Sequence, residues 1–269
     1  MDNEYDRILK LDSLPNLYEC ECGYVDTNDC SWYHSNWLLM RYLGMVSNPY
    51  WHESFYSQAI KKYVKQNSRV LVMGTADFSM PLLCQNAGIH NIEISDICNT
   101  PLNICTNVAE HYSFDWKTRK QNIFDGISSK YEAIINDAFL TRFPYDKKKE
   151  VLKKICDGLI NDAVYITTLR HAWNNGDPLI PSASEKQDFV DRAVLSAVNK
   201  KVDSNRAMVA ASQYIENMIS YPIKDIEMLT DLSHGLFTIE QLELEGVPGE
   251  CVFSEYYRVV FRKNSDIIT

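Results

Sequence analysis

Short β-branched apolar runs alternate with helix-length amphipathic stretches through the middle of this chain. Val70-Leu-Val-Met73 reads as a buried strand that closes on Gly74, and a helix follows over about residues 79–87. Residues 91–95 repeat the strand pattern and lead into a helix over 100–112. A short strand near 117–122, a strand at 133–136, a helix over 145–159 and a strand at 163–168 continue the alternation. Strands separated by helices of this length predict an α/β fold, a mostly parallel sheet with helices on both faces. Two or three helical segments over 184–234, with Gly235 as a C-cap, then give way to strand-like runs at 237–244 and 255–262. Those runs suit an antiparallel pair, for seven strands in all.

The flanks differ from this core. Residues 1–30 are acidic, lack periodicity and are interrupted by Pro15, so a loosely attached arm is expected. Trp37, Leu38, Met40, Tyr42, Leu43 and Met45 form a helix-length apolar segment that stops at the turn Ser47-Asn48-Pro49. Phe55, Tyr56, Ala59, Ile60, Tyr63 and Val64 follow at helical spacing. An aromatic helical pair therefore precedes the first strand. The expected division is 1–66 as arm and helical lid and 67–269 as the sheet domain. Residues 171–182 read as a turn-rich loop after the fifth strand.

The net charge of −9 argues against nucleic acid, whose binding draws most of its affinity from a cationic face. The densest basic run, Lys147-Lys-Lys149 with Lys153 and Lys154, reads as the solvated face of one helix. No apolar leader opens the sequence and no stretch approaches a membrane span, so a cytoplasmic protein with a small-molecule substrate is expected. A homodimer is compatible with the sequence. Cys84, Cys98, Cys105, Cys156 and Cys251 fall in core-like elements, where cysteine behaves as a small hydrophobe. Cys20-x-Cys22 with Cys30 and His34 lacks the two-to-four-residue knuckle spacing of a zinc site, so no metal is expected.

The candidate chemistry gathers where the first two strands end. A lone glycine closes the first, and about twenty residues later Asp96 closes the second. Such a βαβ unit suits a nucleoside: backbone at the first turn approaches the ligand and the carboxylate accepts the ribose hydroxyls. A pyrophosphate would want a fuller glycine-rich turn, which disfavours a dinucleotide.

With five strand–helix units and a terminal strand pair, residues 68–263 resemble the class I S-adenosylmethionine-dependent methyltransferases. Val70-Leu-Val-Met-Gly74-Thr75-Ala76-Asp77-Phe78 stands where that family carries its glycine-rich loop. Gly74 matches, whereas Val72, Ala76 and Phe78 replace an acid and two glycines. The resemblance implies S-adenosylmethionine as cofactor, held by Gly74, Thr75, Ala76, Asp77, Asp96, Ile97, Asn122, Ile123, Asp137 and Phe139. Asp77 would stand in for the missing acid at the methionine ammonium, Asp96 would hold ribose, and Ile97 would pack on adenine. The Asn122 oxygen would accept from the adenine amino group.

Methyl transfer from a sulfonium asks the protein to position a nucleophile and exclude water, and aromatic faces suit the positive sulfur. Tyr33, His34 and Trp37 are expected to line the acceptor pocket, with Trp51 and His52 nearby. His34 is a candidate base, or a helix-capping hydrogen-bonder. Arg142 and Arg170 end strand-four and strand-five segments, where each suits a carboxylate clamp or a surface ion pair. Asp137 is the candidate methionine-end or acceptor contact. The expected activity is methyl transfer to a small molecule in specialised metabolism. Two alternatives stand beside it. One is reaction at the methionine γ-carbon, by aminocarboxypropyl transfer or cyclisation to azetidine-2-carboxylate with release of methylthioadenosine. The other is a non-catalytic scaffold that binds the cofactor.

Overall fold

A computed structural model describes residues 30–46, 48–172, 178–247 and 254–265. Its strands are β1 (Val70–Met73), β2 (Ile92–Asp96), β3 (Lys117–Lys120), β4 (Tyr131–Asp137), β5 (Leu159–His171), β6 (Phe237–Val247) and β7 (Ser254–Lys263). They form one seven-stranded sheet in the order β3-β2-β1-β4-β5-β7-β6. The β1–β5 ladders are parallel, and β7 runs antiparallel between β5 and β6. The helices are α1 (Ser31–Tyr42), α2 (Glu53–Tyr63), α3 (Ser79–Asn86), α4 (Asn99–Tyr112), α5 (Tyr145–Gly158), α6 (Ala183–Lys200), α7 (Ser204–Glu216) and α8 (Ile226–Ser233). No helix among the described residues is long and apolar enough to cross a membrane.

Strand side chains alternate between two cores, as the pleat requires. Val70, Val72, Ile94, Ile135 and Ile166 face α1–α4, α6 and α7, whereas Leu71, Met73, Ile134, Tyr165 and Phe261 face α5 and α8. Both faces are therefore covered, which explains the fully buried β1 and β2.

Several local expectations change. β5 starts before residue 163 and continues to His171, because β7 pairs along it as far as His171↔Glu255. The basic run is not a uniformly solvated face: Lys148 is 1% exposed, its Nζ donating to the Phe143 carbonyl and lying 5.6 Å from the Tyr221 ring centroid. The helix carrying Trp37 begins earlier than its apolar stripe, at Ser31. Gly235 follows α8 with φ +75°, the left-handed conformation that stops a helix. The acidic arm and the centre of the 171–182 loop lie outside the described residues.

The turn after β1 ties α1 to the sheet. Asp77 Oδ1 accepts from the Ser79 amide (2.8 Å) and hydroxyl, and Oδ2 accepts from Trp37 Nε1 (2.9 Å) and the Arg41 guanidinium. Asp77 is 2% exposed and Arg41 5%, so the ion pair lies in the protein interior. Removing one partner of such a pair strands the other charge. Arg41→Met is expected to lower unfolding stability by about 3 kcal/mol, read by denaturant titration. A loss below 1 kcal/mol would show that the pair does not anchor α1.

Candidate functional site

The carboxyl ends of β1, β2, β4 and β5 open onto a cleft of about 940 Å³ at the point where strand order reverses between β1 and β4. Open α/β sheets bind ligands at such a switch point. All of the cofactor and catalytic candidates named from the sequence border this cleft. Gly74–Asp77 come from the β1 turn, Asp96 and Ile97 from the end of β2, and Asn122 and Ile123 from the segment after β3. Asp137, Phe139 and Arg142 follow β4, and Arg170 comes from β5. Tyr33, His34 and Trp37 look down from α1.

Proximity does not give each residue the expected part. Asp77 is committed: four donors fill its four lone-pair directions, so the carboxylate fastens α1 and has no acceptor capacity left for an ammonium. Asn122 Oδ1 accepts from the Phe124 amide at 3.1 Å, capping a short 3₁₀ turn, Ile123–Asp125, before any ligand is considered. Gly74 has φ +62°, and an added Cβ would lie 2.1 Å from the Phe139 ring. The close approach that demands glycine is made by Phe139, which Ala138 at φ +51° swings across the β1 turn.

Asp96 sits at the mouth of β2, with Oδ1 accepting from the Cys98 amide at 2.8 Å. Burial pushes its carboxyl up to about 6, against the opposing effect of His34. His34 lies at the Asp96 end of the cleft, beside Cys98. Cys30 and Cys98 share a hydrogen bond that holds the Cys98 thiol well below the usual thiol range and raises that of Cys30.

The β4 end is organised by a residue that shows in the sequence only as one of a run at helical spacing. Tyr56, fully buried in α2, shares its one hydroxyl proton between the Asn136 carbonyl at 2.8 Å and Asp137 Oδ1 at 3.0 Å. Thr168 Oγ1 donates to the same carboxylate oxygen at 2.6 Å. Burial, and then the Asp137 charge, keep the Tyr56 phenol well above its ordinary value, so it stays protonated and donating.

The cover is aromatic. Tyr33 lies 4.8 Å from Trp37 and stacks on Tyr214 of α7 at 5.8 Å, while the Arg142 guanidinium caps Tyr33 at 5.1 Å and Trp32 at 5.6 Å. Burial raises the Tyr33 phenol well above its ordinary value, which suits it to packing and hydrogen bonding more than to proton abstraction. Tyr214 carried no sequence signal beyond helical spacing. Trp51 and His52 do not line the cleft. His52 is 1% exposed and its Nδ1 accepts from Arg258 Nε at 3.1 Å, with the Tyr256 ring 5.0 Å away. Arg170 is buried and donates to Ser254 Oγ at 3.0 Å, which removes the surface ion-pair reading.

No protein-family model matches the sequence, and no curated protein matches it. The fold is nonetheless that of the class I S-adenosylmethionine-dependent methyltransferases. The chain is similar to the 1,6-didemethyltoxoflavin N1-methyltransferase of Burkholderia thailandensis, solved with bound 1,6-didemethyltoxoflavin and S-adenosylhomocysteine. Their identity is 12%, with 79% of this chain and 78% of that one covered at a TM-score of 0.54. The N-methyltransferase NodS of Bradyrhizobium japonicum, in complex with S-adenosylhomocysteine, is 9% identical, with 84% and 97% covered at a TM-score of 0.51. Magnesium protoporphyrin IX methyltransferase of Synechocystis is 12% identical, with 84% and 93% covered at 0.50.

Asp96 also has a stability signature. Its folded carboxyl titrates above the unfolded one, so the folded chain binds the extra proton between the ordinary value of 3.8 and about 6. Stability therefore rises as pH falls through that window, and above it a constant desolvation cost of roughly 2–3 kcal/mol remains. Asp96→Asn is expected to raise the melting temperature of the unliganded protein at pH 7.5, with the gain shrinking towards pH 5. A variant that melts lower at pH 7.5 would contradict the burial cost.

Proposed function

We propose that this chain is an S-adenosylmethionine-dependent methyltransferase acting on a small molecule of specialised metabolism. One observation carries the reading: a buried carboxylate, Asp96, ends the strand next to β1 at the switch point, its Oδ1 fixed by a backbone N–H and apolar Ile97 and Ile123 on the same cleft. That is the donor set a ribose and an adenine ring require, two hydroxyls meeting a carboxylate and a flat apolar face meeting aliphatic side chains. The cleft volume accommodates a nucleoside cofactor together with a compact acceptor.

The cofactor supplies a methyl carbon already activated by a positive sulfur. The chain's own residues then orient and shield. Asp96 holds the nucleoside end. Asp137, with one oxygen pinned by Tyr56 and Thr168, offers its other oxygen to an amine of the cofactor tail or of the acceptor, replacing the part expected of Asp77. Tyr33, Trp37 and Tyr214 exclude water and present π faces to positive charge. Arg170, buried at the β5 end, suits an anionic group on the acceptor.

Two measurements test this. In calorimetry with S-adenosylhomocysteine, Asp96→Ala is expected to weaken binding by more than about tenfold, the loss of a bidentate charged contact; unchanged affinity in a folded variant overturns the assignment. Mass spectrometry after incubation with S-adenosylmethionine and acceptor pools should show S-adenosylhomocysteine only when an acceptor is present. Methylthioadenosine in its place would move the reaction to the γ-carbon.

Tyr56→Phe removes only the hydroxyl that positions Asp137. Turnover is expected to fall about tenfold, with a smaller loss of S-adenosylhomocysteine affinity. Equal losses in both would make Tyr56 a structural residue alone.

A further inference from the structure

A second cluster lies at the Asp96 end of the cleft, and the proposed methyl transfer assigns it no role. Cys30 is the N-cap residue of α1, His34 lies one turn into that helix, and Cys98 is the N-cap residue of α4. One sulfur, one imidazole nitrogen and a second sulfur all lie within 4.8 Å of one another. His34 and Cys98 are buried and Cys30 half-buried. The three residues come from two segments far apart in the chain, so no local motif places them together.

We propose that Cys30, His34 and Cys98 form a binding site for a thiophilic divalent cation, zinc above all, that clasps the first turn of α1 to the start of α4. Two thiolates and an imidazole are a borderline-soft donor set that disfavours magnesium and calcium and suits zinc. A tetrahedral site with Zn–S of ~2.3 Å and Zn–N of ~2.0 Å brings its donor atoms to ~3.5–3.8 Å of one another, a contraction of at most ~1.3 Å from the spacing here. The Cys98 sulfur is held in place at the start of the 14-residue α4, where it accepts from the Thr100 amide at 3.4 Å. Binding forms two S–metal bonds and one N–metal bond in place of metal–water bonds, and the proton still held between the two sulfurs leaves to solvent. Three protein ligands leave a fourth position, and all three residues border the cleft beside Asp96. A bound cation would thus fix the lid over the nucleoside end, a role outside the reaction itself.

The test is a cobalt(II) titration of the full chain in a non-thiol reductant, without S-adenosylmethionine, so that its failure leaves the proposed function standing. One equivalent should bind and give thiolate-to-cobalt charge-transfer absorption in the near ultraviolet, bleached on adding zinc. Cys98→Ser and Cys30→Ser should each weaken binding at least tenfold while keeping the far-ultraviolet circular dichroism of the parent. Absence of the band, or a band unchanged in the double variant, overturns the proposal. A second readout needs no variant. Zinc should slow alkylation of Cys30 and Cys98 in the native chain at least tenfold by peptide mass spectrometry; equal rates with and without zinc overturn it.

Discussion

The carboxylate of Asp77 is the constraint on which the cleft depends. A buried negative charge is tolerable only when its hydrogen-bonding capacity is met, and here two donors come from the start of α3 and two from α1. Satisfying that charge and placing α1 over the strand ends are therefore one event. With Trp37 and Arg41 drawn down to the β1 turn, Tyr33 and His34 on the preceding turn have to overhang the ends of β1 and β2.

The other wall is built on the same logic, with α2 reaching under the sheet end. Tyr56 and Thr168 converge on one oxygen of Asp137, and Ala138 in the left-handed region turns Phe139 across Gly74. A polar contact and an aromatic wall are thus set by residues outside the loop that carries them. The roof joins Tyr33 and Trp37 of α1 to Tyr214 of α7, with Phe189 of α6 stacked behind at 5.9 Å. Two segments at opposite ends of the sequence make one hydrophobic surface, and Arg142 bridges it to the β4 end.

The legible parts of the sequence were those written in local period. β1 and β2 are short runs buried on both faces, so their apolar character is continuous and their ends are marked by Gly74 and Asp96. The seven-strand alternation followed from the same signal. Where burial is decided by a distant partner, local pattern misled. Lys148 reads as solvated until Phe143 and Tyr221 are folded against it, and His52 reads as a site residue until Arg258 of β7 claims its nitrogen. β5 ran past its expected end because an antiparallel strand almost a hundred residues later extends the ladder.

The sequence by itself determined the alternating α/β architecture and which strand ends would carry polar groups, because strand burial and the residues that terminate strands are encoded within a few positions. Only the tertiary structure decided what those polar groups do. Asp77 became an anchor and Asn122 a cap because neighbouring donors took their oxygens. Tyr56 meets Asp137 because α2 is folded against the end of the sheet, and Cys98 joined Cys30 and His34 because α4 begins where α1 begins. A hydrogen bond is settled by whichever partner arrives within about 3 Å, and that is a property of the folded surface, not of the spacing along the chain.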